Sequence, residues 1–241
     1  FGLAVEVWNG LVLAVSRVRP ATSRWTLSPA RFISAVGVLV AVLTVWGVLE
    51  ANSLHLETIA VTTPKLPAGT QPLRVLQISD LHLTPVGGQR QIDRILRLAG
   101  ESRPDVVVCT GDLFDSAGTE MDPLASRLAL LRPPLGKLAV LGNHEYYVGV
   151  PQSMRLLQRS GFLVLRDETV RLQCGKTGMV VAGVDDPTAS MFGKASRTDE
   201  QSFLRFDFIN EFTLLLKHQP IVSTRAKGWF DLQLSGHTHG G

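Results

Sequence analysis

From Phe32 to Leu49 the chain carries no charge, and only Ser34 and Thr44 bring a hydroxyl. A helix at the surface of a soluble domain needs a polar face, and this run has none. Its length between Arg31 and Glu50 suits the hydrocarbon thickness of a bilayer, so it predicts a membrane-spanning helix. A signal-peptide core is the alternative, but it would be shorter and would not follow another apolar segment. Such a segment does precede it: Phe1 to Ser16 is apolar apart from Glu6 and Asn9, and is read as the end of an earlier membrane helix, with an amphipathic segment lying in the interface as the alternative. Arg17, Arg19, Arg24 and Arg31 lie between the two stretches with no acidic residue among them, while Glu50 and Glu57 follow the second. The positive-inside rule then keeps the arginine loop in the cytoplasm and sends everything after Glu50 to the extracytoplasmic side.

Residues 1–50 are therefore expected to form a membrane segment, with a basic loop at 17–31. Residues 51–72 read as a linker marked by Pro64, Pro67, Gly69 and Pro72, and residues 73–241 as the main domain. The chain opens on Phe1 and stops at Gly240 and Gly241 directly after a dense motif, so it is read as a fragment truncated at its C-terminus. Its two cysteines form no Cys-x-x-Cys pair, which excludes a disulfide scaffold and zinc-ribbon or thioredoxin-type sites. Cys109 is expected to be inert core, Cys174 flanks a turn, and no bond is expected between them. The net charge of +3 is small and partly confined to the arginine loop, so nucleic acid is not an expected partner.

The main domain alternates short β-rich runs with amphipathic stretches. Strands are predicted at 73–79, 105–110 and 137–141, with helices at 89–101, 122–131 and 151–160, the last opened by Pro151. This rhythm predicts parallel strands covered by helices. From Phe162 the strands crowd together, at 162–165, 169–172 and 179–184, with turn residues such as Gly175 and Gly178 between them. These suit a second, more antiparallel sheet, joined by strands at 212–216 and 231–234. The fold class is α/β: a two-sheet α/β sandwich with helices outside, preceded by one or two N-terminal transmembrane helices.

The strand ends carry the chemistry. The first strand runs into Asp80-Leu81-His82, the second into Gly111-Asp112, and the third into Gly142-Asn143-His144-Glu145. The strand at 212–216 runs into His218, and the last into Gly236-His237-Thr238-His239. Ligands of α/β sheets bind at the carboxyl ends of strands, where the departing loops open a crevice. In Asp80-x-His82 and His237-x-His239 the spacing of two would turn both side chains to one side of an extended backbone. Five of the six histidines lie in these blocks, with only His55 outside, which capping or core packing does not explain. Mixed imidazole and carboxylate donors suit manganese, iron or zinc rather than calcium. Asp80, His82, Asp112, Asn143, His218, His237 and His239 are too many ligands for one open site, whereas two ions sharing a carboxylate would use them all.

In this order the blocks resemble those of the calcineurin-like metallophosphoesterases over residues 73–241. The wording ISDLHLTP, GNHEYY, LLKHQP and LSGHTHGG is similar to the bacterial membrane-anchored branch of that superfamily. The resemblance implies that Asp80, His82 and His239 hold one metal, that Asn143, His218 and His237 hold the other, and that Asp112 bridges the two. It implies that His144 binds substrate rather than metal, reaching the phosphoryl or leaving-group oxygen as an electrostatic stabiliser or general acid, and that the catalytic part of Asp112 is to bridge the metals together with a water or hydroxide. Asp115 is a candidate for orienting a histidine, and Asp185 and Asp186 for lining the pocket, with solvated turn carboxylates the equal alternative for all three. The expected cofactors are two divalent or mixed-valence ions. The expected activity is hydrolysis of a phosphomonoester or phosphodiester by metal-activated hydroxide at the cell membrane, with a lipid-linked phosphoester as a further expectation from the anchor. The rival is a non-catalytic metal-binding membrane scaffold or sensor.

Overall fold

The computed structural model describes residues 2–20, 28–51, 54–66, 69, 71–174, 177–193, 204 and 210–239. Arg24, Pro67, Gly175, Gly240 and Gly241 lie outside them. The chain divides into two compact units, Phe1–His55 and Leu56–Gly241.

The first unit is a pair of helices, α1 (Gly2–Ser16) and α2 (Pro29–Ala51). They touch, and α1 buries Val5 and Val12, one heptad apart. Within α2 the stretch Pro29–Glu50 has 22 residues and a mean hydropathy of 2.5. At 1.5 Å per residue it is about 33 Å long, enough for the ~30 Å of a bilayer's hydrocarbon. Apolar side chains are exposed all round it, Leu39, Leu43, Val45 and Val48 among them. Such a surface is costly in water and favourable in lipid, so α2 is long and apolar enough to cross a membrane.

The second unit holds two four-stranded sheets. The first contains β1 (Val75–Ile78), β2 (Val106–Cys109), β3 (Lys137–Ala139) and β4 (Phe162–Val164), all parallel and in sequence order. Its crossovers carry α3 (Gly88–Ser102), α4 (Asp122–Leu128), and the consecutive α5 (Asn143–Val148) and α6 (Val150–Arg159). All four residues of β2 are buried, as expected of an interior parallel strand covered on both faces. One face of α3 buries Ile92, Ile95 and Ala99 at helical spacing.

The second sheet runs β5 (Glu168–Cys174), β6 (Thr177–Gly183), β7 (Phe212–Leu216) and β8 (Leu232–Leu234). The two sheets pack face to face. Val106, Val108, Leu138, Val140 and Leu165 from the first side meet Met179, Val181, Leu214 and Leu216 of the second in one buried cluster. The far face of the second sheet is covered by Leu204, Ala226, Trp229 and Phe230, which lie outside its strands and helices.

The sandwich is the expected architecture, but three details differ from the sequence reading. The strand at Phe162 belongs to the first sheet, in register with β3 (Lys137 opposite Phe162), because α6 returns the chain beside β3 as a parallel crossover. The second sheet is antiparallel only between β5 and β6; β6, β7 and β8 are parallel. The short helix α5 was not anticipated, and it begins inside the Gly-Asn-His-Glu block.

Ahead of β1 the chain is tied down by Lys65, whose Nζ lies 2.9 Å from Asp231 Oδ1 and 3.3 Å from the Glu211 carbonyl oxygen. Both partners precede strands, β8 and β7 respectively.

Where the sheets come closest, Gly183 of β6 leaves no room for a side chain: a Cβ there would sit 2.3 Å from Leu165 Cβ and 2.9 Å from Val140 Cγ1. Gly183→Ala should therefore push the sheets apart and cost about 1–3 kcal/mol, as overpacked cores do. This would be measured as a fall in the urea midpoint with the slope unchanged.

Candidate metal centre

Parallel strands all end on the same side, and β1, β2, β3, β7 and β8 each release their polar block at that end. Asp80 follows β1, Asp112 follows β2, Asn143 follows β3, His218 follows β7, and His237 and His239 follow β8. The extended backbone expected at Asp80-x-His82 and His237-x-His239 is not found. Asp80 (φ 53°), His82 (45°), Asp112 (52°), His237 (73°) and His239 (52°) are left-handed. Among the described non-glycine residues only Arg103 and Asp167 share that region. Each such residue costs roughly 1–2 kcal/mol, and strain of this kind gathers where function requires it.

The turns hold one another by backbone bonds that prolong the sheet past its last ladder. Asp80 N donates to Gly111 O (3.1 Å), His82 N to Asp112 O (3.1 Å) and Leu83 N to Leu113 O (3.0 Å). Asp80 in turn accepts the His237 amide on both carboxylate oxygens, at 2.9 and 3.1 Å. Gly236 permits this approach, since a Cβ there would lie 2.0 Å from Ser79 Oγ and 2.3 Å from Asp80 Oδ2.

The expected ligands gather in two groups, and a third group with the same spacing, His82, Asp112 and His144, overlaps them. In the first, Asp80, His82 and His239 each offer an atom within 4.8 Å of the others. His82 Nε2 is 3.3 Å from His239 Nε2, and His239 Nε2 is 3.8 Å from Asp80 Oδ1. In the second, Asp112, His218 and His237 meet the same limit. Asn143 Oδ1 joins them, 3.0 Å from both His218 Nε2 and His237 Nδ1. Asp112 stands between the groups, with Oδ2 3.3 Å from His218 Nε2 and 3.9 Å from His82 Nε2.

The ring nitrogens reveal what these groups require. His218 Nδ1 lies 2.8 Å from the Thr110 carbonyl oxygen, which can only accept, so Nδ1 carries a hydrogen. The remaining nitrogen of neutral His218 carries a lone pair that faces a carboxylate, an amide oxygen and, at 3.1 Å, His237 Nδ1. His82 repeats the pattern: Nδ1 donates to Asp115 Oδ1 (2.7 Å), leaving Nε2 to face His239 and Asp112. Such arrangements need a positive centre, either a proton or a metal ion. With a proton in that role the Asp112 carboxylate lifts His218 to about 9, although burial pulls the other way. Burial would raise the Asp112 carboxyl, but its bonds from His218 and the His144 amide outweigh that and hold it low. The donor set fits a pair of borderline divalent cations with a shared carboxylate.

His144 lies beside the groups at the start of α5. Its Nδ1 is 2.8 Å from Asp115 Oδ1, the same oxygen that holds His82, and its side chain is about a third exposed, at 36%. Asp115 thus orients two rings, not one. Asp185 and Asp186 are both buried, so neither is a solvated turn carboxylate. Asp185 binds the Tyr146 hydroxyl and takes both Nε (3.1 Å) and Nη2 (2.7 Å) of Arg166, which ties α5 to the end of β6. Asp186 accepts Thr188 N (2.8 Å) and Gln219 Nε2 (3.2 Å), bracing the residue next to His218. Cys109 is a buried free thiol.

Sequence reasoning assigned no role to Glu145. It is 1% exposed, and its carboxylate receives the amides of Gly142 (2.8 Å), Asp112 (2.9 Å) and Leu113 (2.9 Å). Burial drives this carboxyl upward while the three amides pull it back. The signal was present: a glutamate three residues after an N-cap reaches back to the cap's amide.

Residues 73–241 match the family described as calcineurin-like phosphoesterase. A protein of Aquifex aeolicus (strain VF5) described as an uncharacterized metallophosphoesterase is 43% identical over 193 residues, covering 80% of this chain and 72% of that protein. A transmembrane protein with metallophosphoesterase domain from Bos taurus is 33% identical over 234 residues, which is 91% of this chain but 51% of its own length. The chain thus spans about half of that relative. Among solved structures, the calcineurin-like phosphoesterase YfkN from Bacillus subtilis aligns with a TM-score of 0.48 at 16% identity, over 70% of this chain and 72% of that one.

Enlarging Gly236 tests the arrangement. Gly236→Ala should displace Asp80 and weaken Mn²⁺ uptake by the Asp80–His82–His239 group by about 10- to 100-fold, while uptake around Asp112 survives. Calorimetric titration would show one of two binding phases weakened.

Proposed function

The chain belongs to the calcineurin-like phosphoesterase family, and on that footing we propose that it hydrolyses phosphoester bonds with two metal ions held at the strand ends. Asp80, His82 and His239 would hold one ion, Asn143, His218 and His237 the other, and Asp112 would be shared between them. The observation that carries this reading is the convergence of these side chains in two adjoining groups, with carboxylate, amide and imidazole acceptors turned toward one another around His218 Nε2. Manganese, iron or zinc held there would acidify water to a nucleophile near neutral pH and neutralise the charge of the phosphoryl group.

The protein's own groups do the rest. Asp115 accepts a hydrogen bond from His144 Nδ1 and so turns Nε2 outward, from where the ring, when protonated on both nitrogens, can give the Nε2 hydrogen to the leaving-group oxygen. The exposed edge of His144 lets an ester reach it, and the Tyr146–Asp185–Arg166 tie keeps α5 from swinging away. A scaffold or sensor would need the metal ligands but not a further histidine held beside them by the carboxylate that orients His82.

The finer reading is an ester with an apolar group, cleaved by an enzyme held at the membrane on the extracytoplasmic side. Two observations favour it. Helix α2 is apolar all round, and aromatic rings gather on and beside α5: the Tyr147 ring is 5.6 Å from His144, and the Phe192 ring is 5.9 Å from that of Tyr146. Tyr147 and Phe192 are both more than half exposed, at 61% and 57%. The arginines before α2 support the orientation by the positive-inside rule.

Asp112→Asn should abolish hydrolysis of a nitrophenyl phosphate ester and lower the bound metal together. His144→Ala should keep the metal content of the parent and lower kcat by roughly 10²- to 10⁴-fold, the usual worth of a general acid. Full activity in Asp112→Asn would overturn the bridging role.

For the apolar ester, lengthening the acyl chain of a phosphoester series should lower KM in the parent and not in the Tyr147→Ser, Phe192→Ser double variant. Chain-length independence with intact activity on short esters would remove the lipid-linked reading and leave the hydrolase.

A further inference from the structure

Two carboxylates cross between the loops after β2 and β3. Glu145, from α5, receives the backbone amides of Asp112 and Leu113 on one loop and of Gly142 on the other. Asp112, from the opposite loop, receives the backbone amide of His144 at 2.9 Å on Oδ1. The loops lie so close that a Cβ on Gly142 would be 2.2 Å from that same Oδ1. The backbone of Asp112 is left-handed, with φ 52°, a conformation it holds only if its surroundings impose it. The Glu145 carboxylate, bonded to the amide of Asp112 itself, is one of the groups that hold it, with His82 N on the Asp112 carbonyl and His144 N on its side chain.

We propose that Glu145 is a positioning residue that sets the distance between the Asp112 carboxylate and Asn143, and through it the fit of the second metal ion and the spacing of the pair. It touches neither ion nor substrate and works through the backbone of Asp112 and Gly142. The inference rests on the two-ion reading above. A carboxylate is needed rather than an amide, because three N–H groups converge on two oxygens and a glutamine would offer one oxygen and turn an N–H₂ toward a donor. An aspartate keeps both oxygens but, one methylene shorter, does not reach both loops.

The test compares the full chain with Glu145→Gln and Glu145→Asp, first stripped of metal and then titrated with Mn²⁺. Both variants should retain the parent's circular dichroism and bind a first ion as the parent does. They should bind the second 10- to 100-fold more weakly, the usual penalty for losing a group that orients a ligand. When both ions are loaded at high Mn²⁺, the magnetic coupling seen by electron paramagnetic resonance should weaken, and kcat on a nitrophenyl ester should fall with KM nearly unchanged.

A purely structural residue would lower the urea midpoint yet leave the second affinity and the coupling at parent values, and that result would overturn the proposal. If Glu145→Gln does not fold, Glu145→Asp carries the same readouts. A parent that takes up one ion only would overturn the two-ion reading itself, and so is separable from a failure confined to Glu145.

Discussion

Imidazole nitrogens and carboxylate oxygens that face each other at about 3 Å repel unless something positive lies between them. The second unit of this protein is organised around such a confrontation. His218 has spent its one hydrogen on the Thr110 carbonyl, and His82 has spent its hydrogen on Asp115, so both rings present bare nitrogen toward Asp112. A proton or a metal ion relieves such a confrontation, because unpaired acceptors in a low-dielectric site are expensive. The parallel strands exist, in this sense, to bring acceptors to one edge. The left-handed turns that follow β1, β2 and β8 point them inward at a cost the packed sandwich can bear.

That cost is distributed across the fold. The buried faces of the two sheets, with Val106, Val108 and Val140 against Val181, Leu214 and Leu216, supply the favourable free energy. The strained residues sit just beyond the ends of those strands, where the ladder bonds continue for two or three residues as Asp80 to Gly111 and His82 to Asp112. Strain placed there distorts no core packing, and the hydrogen bonds that follow each turn keep it from relaxing.

Much of this was legible in the sequence, for reasons that differ by element. The run from Phe32 to Leu49 could be read because the absence of charge over such a length has few physical outcomes. The blocks after the strands could be read because histidine is scarce and five of the six were clustered. The sheet to which Phe162–Val164 belongs could not be read, since periodicity says that a strand is buried but not which neighbour it pairs with. The left-handed turns were hidden too: Asp-x-His looks like the continuation of an extended strand until the backbone is seen to curl. Helix α5 escaped notice because six residues show no usable periodicity; it starts where Glu145 bonds back to Gly142, a local device that the chemistry of the neighbouring Asn143 and His144 overshadowed.

Lys65 grips Asp231 and the Glu211 carbonyl, both at the beginnings of strands, whereas His218 and His237 lie past the finishes of those same strands. A pull along the preceding chain would therefore load the entry edge of β7 and β8 and be shared by their ladder bonds before it reached the histidines. Load applied ahead of Lys65 would thus enter at the strand ends opposite the histidines.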